Sequence, residues 1–108
     1  MSQSLCALYT HVVFSTKDRY PYLTDPDLRY DLHHYLGGIS NHLGCQSLVV
    51  GGTEDHVHPL ICLSRTVTLS DCMREIKRGS TLWLRGKGPA LRSFSWQGRI
   101  QCLLATWR

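Results

Sequence analysis

No apolar run in this sequence approaches the roughly 18 residues that a membrane-spanning helix needs, and no charged-then-apolar leader opens it. Those absences exclude a membrane partner and lead us to expect a cytoplasmic protein. There is no CxxC. The cysteines Cys6, Cys45, Cys62, Cys72 and Cys102 are odd in number and irregularly spaced, which suggests neither a zinc knuckle nor a disulfide framework. They read instead as small core residues. Internal repeats, low-complexity tracts and flexible linkers are also missing, and a chain of 108 residues without them fits one compact domain. Acidic residues are scarce in the second half. Residues 65–108 hold nine basic side chains against Asp71 and Glu75 alone, whereas residues 1–64 hold three basic against six acidic. The halves carry +7 and −3, a one-sided field that suits either a polyanionic partner or a solvated basic face.

What is present orders itself into alternating elements. ALYTHVVFST, residues 7–16, is rich in β-branched and aromatic residues and reads as a strand. After the basic, proline-bearing turn KDRYPYL, Asp25 and Pro26 suit the start of a helix and Gly44 its stop. Leu28, Leu32, Tyr35 or Leu36, Ile39 and Leu43 form its inward stripe. QSLVVGG and HVHPLICLS read as two strands of a hairpin across the turn GGTED. Thr68 and Asp71 then open a second helix, with Leu69, Cys72 or Met73, Ile76, Ser80 and Trp83 turned inward. FSWQ, residues 94–97, is the candidate last strand. Strand, helix, strand, strand, helix, strand is the order of an α+β, ferredoxin-like (split βαβ) two-layer sandwich. Its sheet is antiparallel with both helices on one face.

Within the third strand, side chains alternate, so His56 and His58 point the same way and Val57 the other. Two imidazoles so placed can reach one divalent ion, or they can simply face solvent. Asp55 alternates away from that pair. Arg74, Lys77 and Arg78 stand at i, i+3 and i+4 on the second helix, opposite its apolar stripe, where they can follow a phosphate backbone; Lys17 and Arg19 add to the same surface. Trp83 falls on the core side and Trp96 is undecided. Pro59 cannot donate to a ladder, so the strand presenting His58 is expected to lie at an edge or carry a bulge.

YTHVVFSTKDRYPYL at 9–23, DHVHPLI at 55–61, CMREIKRGSTLWLR at 72–85 and FSWQ at 94–97 occur in order. Together they resemble the single-tyrosine HUH transposases of small insertion sequences and the REP-associated tyrosine transposases. That resemblance implies a homodimer that binds single-stranded DNA carrying a hairpin, with metal-dependent strand cleavage and transfer through a 5′-phosphotyrosine. It also implies that His56 and His58 hold Mg²⁺ or Mn²⁺. The family pattern places its tyrosine, followed four residues later by a glutamine ligand, beyond the WQ segment. Here all five tyrosines, Tyr9, Tyr20, Tyr22, Tyr30 and Tyr35, precede the histidine pair. No catalytic nucleophile is therefore assigned, and the metal is expected to be weakened by loss of the third ligand. We expect residues 1–97 to form the HUH-like domain and 98–108 a divergent tail, from a truncation or frame change, in place of the tyrosine-bearing helix. A DNA-binding remnant is the expected outcome. The alternative is a non-catalytic RNA-binding module on the same architecture. A histidine-triad hydrolase does not fit, because Leu60 stands where its third histidine belongs.

Overall fold

Alternation of small polar and large apolar residues makes Leu8–Ser15 a strand, β1, that buries Thr10, Val12 and Phe14 on one face. The computed structural model describes residues 8–98 and 101–105. Helix α1 spans Pro26–His42; the Asp25 carboxylate accepts the Asp27 N–H, and Gly44, at φ 83°, turns the chain out of the helix. Strands β2 (Gln46–Gly52) and β3 (His56–Leu63) follow as the expected hairpin. Helix α2 covers Leu69–Arg85 and starts as its sequence predicts, with Thr68 Oγ1 accepting the Asp71 N–H at 3.0 Å. Strand β4 is Gln101–Ala105.

The sheet order is β2-β3-β1-β4 and every neighbouring pair is antiparallel, as the split βαβ pattern requires. Val12, Phe14, Val57 and Ile61 meet Leu32 and Leu36 of α1 and Cys72, Met73, Ile76 and Leu84 of α2 in one core. Both helices therefore cover one face of the sheet, and the odd positions of β1 and even positions of β3 are left on the other. Among the described residues, no helix is long and apolar enough to cross a membrane.

Four details differ from expectation. FSWQ is not the last strand: Trp96 makes a single bridge to Thr16, and the strand paired with β1 is β4, inside the segment expected to be a divergent tail. The cause is aromatic packing. Phe94 and Trp96 turn into the core against Phe14 and one another, with 4.8 Å between their ring centroids, and the Trp96 indole N–H donates to Ser80 Oγ. Trp83 is only half-buried, because Leu84 takes the inward position after Ser80; its ring stacks on Tyr35 with Lys87 over it. Pro59 lies in a central strand, not at an edge. The β1–β3 register lapses between His11↔Leu60 and Phe14↔Val57, where Pro59 has no N–H to give, while Val50 still pairs with Pro59 from β2. The irregularity in β2 between Ser47 and Val49 sits close by. Finally, Cys62 is disulfide-bonded, whereas Cys45 and Cys72 are free, buried thiols. Burial pushes the Cys72 thiol up to about 12, consistent with an inert core side chain.

Ser80 joins α2 to the Trp96 segment, donating to the Ile76 carbonyl at 2.6 Å while accepting the indole N–H at 2.9 Å. Replacing Ser80 with Ala strands that indole donor in the core. Urea denaturation should show a loss of about 1–3 kcal/mol, with the fold otherwise kept.

Candidate metal and nucleic-acid site

The β2–β3 turn is tight. Thr53 N–H donates to the His56 carbonyl at 2.9 Å, leaving Glu54 and Asp55 at its tip. From there β3 sets His56 and His58 on the face away from the helices. Their ring centroids are 5.7 Å apart and their planes 32° from parallel. A third imidazole shares the face: His11 of β1 meets His58 edge-on at 5.8 Å. Gly51, paired with His58 across the hairpin, gives that ring its room, since a Cβ there would lie 2.6 Å from His58 Cε1.

Asp55 stands at the centre of the polar contacts. One oxygen lies 3.0 Å from His56 Nδ1, and the Arg19 guanidinium donates to the carboxylate through Nε at 3.2 Å. Thr53 Oγ1 is 3.0 Å from the same ring nitrogen. The hydrogen bond with His56, and next the bond from Arg19, hold the Asp55 carboxyl below the usual carboxylate range. The expectation that Asp55 points away from the histidines is thus corrected. Asp55 belongs to the turn, outside the strand's strict alternation. Its position just before the histidine pair was the available signal.

Behind the turn, on the helix side, His33 of α1 approaches Gly52, and its buried Nε2 has no hydrogen-bond partner. Burial, then the charge of Arg29, lowers the His33 pKa below its ordinary value. His34 and His42 are exposed.

Held on one face, the two imidazoles are of the ligand type that takes a divalent ion at about 2 Å. Among the described residues, no group of three or more His, Cys, Asp and Glu side chains is arranged to hold one. The basic residues gather in part. Lys17 and Arg19 follow β1 at the sheet end where Ser15 pairs with His56. Lys77 joins them indirectly: its Nζ donates to the Gln97 carbonyl, and Gln97 N–H donates to the Ser15 carbonyl. Arg74 is drawn to Asp71 at 2.8 Å and is the one of the five partly neutralised along its own helix. Beside α2 runs a groove of about 1020 Å³ lined by Met73, Leu82 and Trp96 together with Lys77, Arg78 and Arg85. Trp96 is buried at 6% exposure, so it is a core residue and not a free stacking platform.

A family model described as "Transposase IS200 like" matches residues 4–102. Among solved structures, a candidate transposase from Deinococcus radiodurans R1 is similar at TM-score 0.81 and 21% identity, over 95% of this chain and 85% of that one. A REP-associated tyrosine transposase bound to a REP hairpin is similar at TM-score 0.68 and 17% identity; all of this chain is covered, and it spans 64% of that protein. At these identities the likeness is one of fold. No curated protein sequence matches the chain.

Two outcomes follow from the geometry. A Gly51→Ala chain should fold, because the far end of a side chain can yield. The imidazole resonances of His58 should nevertheless shift, while those of His34 stay in place. For His33 the sign is set by its lowered pKa: the unfolded chain takes up the proton more readily than the folded one. Stability should be complete above the ordinary histidine value of about 6.5 and decline as pH falls from there through the lower, folded value. His33→Gln should flatten that decline in denaturation curves recorded across this range.

Proposed function

The chain belongs to the IS200-like transposase family, and on that footing we propose that it binds single-stranded DNA carrying a hairpin, with His56 and His58 holding Mg²⁺ or Mn²⁺ beside a phosphodiester of that strand. The observation that carries this reading is the imidazole pair on the open sheet face, at the end of the sheet where Lys17 and Arg19 stand. Such an ion, when bound, acts as a Lewis acid on a phosphoryl oxygen. The protein's own part is to present two ring nitrogens on one face, with Lys17 and Arg19 at that end of the sheet. His58 is seated by Gly51 and by the edge of His11. Lys17, Lys77 and Arg78 offer ammonium and guanidinium donors to phosphates leading away from the pair, and Arg74 extends the line along α2. Arg19 belongs to the same surface, although two of its donors go to Asp55.

The hairpin carried by the REP-associated relative supports the choice of DNA form for this chain. A homodimer is part of the same reading. Strand cleavage needs a nucleophile, and four of the five tyrosines make ring contacts elsewhere. Tyr20 packs on Tyr22, Tyr22 on Phe94, Tyr30 on His34 and Tyr35 on Trp83. The proposal gives this chain the binding half of the family's chemistry and assigns no nucleophile.

Labelled hairpin DNA with a single-stranded flank tests this. Binding should weaken steeply with salt, and Lys77→Ala or Arg78→Ala should each reduce the slope of log affinity against log salt by about 1. Incubation with Mn²⁺ should give no covalent 5′ adduct. Absence of binding at low salt to any structured single strand would overturn the proposal, and a phosphotyrosine adduct would restore the nucleophile.

A further inference from the structure

Arg19 has a second task, distinct from any contact with phosphate. We infer that Arg19 and Asp55 form a positioning pair that fixes the His56 ring with its proton on Nδ1 and its lone pair on Nε2. This rests on the reading of His56 as a metal ligand.

The tautomer follows from which atoms face the ring. His56 Nδ1 lies 3.0 Å from Asp55 Oδ1 and 3.0 Å from Thr53 Oγ1. An ionised carboxylate only accepts hydrogen bonds. The Thr53 hydroxyl already has an acceptor in the same carboxylate oxygen, at 3.2 Å, so it turns its lone pairs to the ring. A bare nitrogen at Nδ1 would face lone pairs from both neighbours, and a protonated one satisfies both. The remaining nitrogen, Nε2, is then the unprotonated one that a metal requires.

Arg19 sets the carboxylate itself. Its Nε donates to Oδ2 at 3.2 Å and Nη2 to Oδ1 at 3.4 Å, a fork that fixes the plane of the group rather than merely neutralising it. The backbone that delivers this fork is strained. Asp18 and Arg19 both adopt left-handed conformations, φ 57° and 56°, which favour glycine. Specific bonds hold them there. Arg19 N–H donates to the Thr16 carbonyl, Thr16 Oγ1 donates to the Tyr20 carbonyl at 2.8 Å, and Asp18 N–H donates to Gln97 Oε1. The same segment grips the turn from behind, with Thr16 N–H on the Asp55 carbonyl and Leu23 N–H on the Glu54 carbonyl, each at 2.9 Å. Backbone and side chain of one segment thus fix one turn, and through it one imidazole.

The test reads the ring directly. In the metal-free chain, labelled on histidine and held at about pH 8, nitrogen chemical shifts report each tautomer. Wild-type His56 should be the Nδ1–H form. Arg19→Ala should mix its tautomers, leave those of His58 unchanged, and weaken Mn²⁺ binding, followed by electron paramagnetic resonance, by roughly 10-fold or more. Arg19→Lys, which cannot fork, should fall between. Lys17→Ala, a phosphate-contact control, should weaken hairpin binding and alter neither the tautomer nor the Mn²⁺ affinity. An Arg19→Ala chain with wild-type His56 shifts and wild-type Mn²⁺ affinity overturns the inference. Failure of the wild-type chain to take up Mn²⁺ overturns the metal reading instead, while a tautomer change on Arg19→Ala would still support the pair.

Discussion

Thr16 is where the two halves of the molecule are tied. It is fully buried, ends the run of β1, and donates its N–H to the Asp55 carbonyl and its hydroxyl to the Tyr20 carbonyl. Trp96 bridges to it from the far end of the chain. Three segments remote in sequence therefore converge on one small polar side chain: the end of β1, the turn before the histidines and the aromatic run after α2. Buried carbonyls and N–H groups must find partners, and here each finds one in another of the three segments. The site on the sheet's open face stays aligned because the segments beneath its rim cannot move separately.

The layer division explains the distribution of roles. One face of the sheet is committed to packing, with Phe14, Val57 and Ile61 against both helices. The opposite face receives the polar partners of those same strands: His11 on β1, His56 and His58 on β3. A single alternation therefore separates core from chemistry, and a slip of one residue in β3 would exchange them. The disulfide at Cys62 lies on that same strand.

Much of this was legible in residue order. Asp25 and Pro26 marked the start of α1, Thr68 and Asp71 that of α2, and alternation placed both histidines together, because each of these signals acts over a few residues. Other features depended on distant neighbours. The inward turn of Trp96 depends on Ser80 and Phe14, so FSWQ looked like a strand although the strand lies further on. Asp55 looked misdirected because strand alternation was extended into a turn, where it does not apply. Arg19 looked like one more surface cation until Asp55 appeared beside it. Local periodicity sets elements and faces; partners across the fold set which polar groups act together.

Pro59 has a consequence for how the sheet opens. With the β1–β3 ladder lapsed at Val12 and Val13, those residues keep paired register only with Cys102 and Gln101 of β4. The Thr16 N–H points to β3, and by alternation so does the Val12 N–H, which faces the Pro59 carbonyl; Val13 is the one turned to β4. Loosening β4 would let solvent exchange reach the Val13 amide, whereas Thr10, Val12 and Phe14 keep theirs turned to β3. The Val13 amide is thus a point in β1 whose protection rests on the sheet's outermost strand.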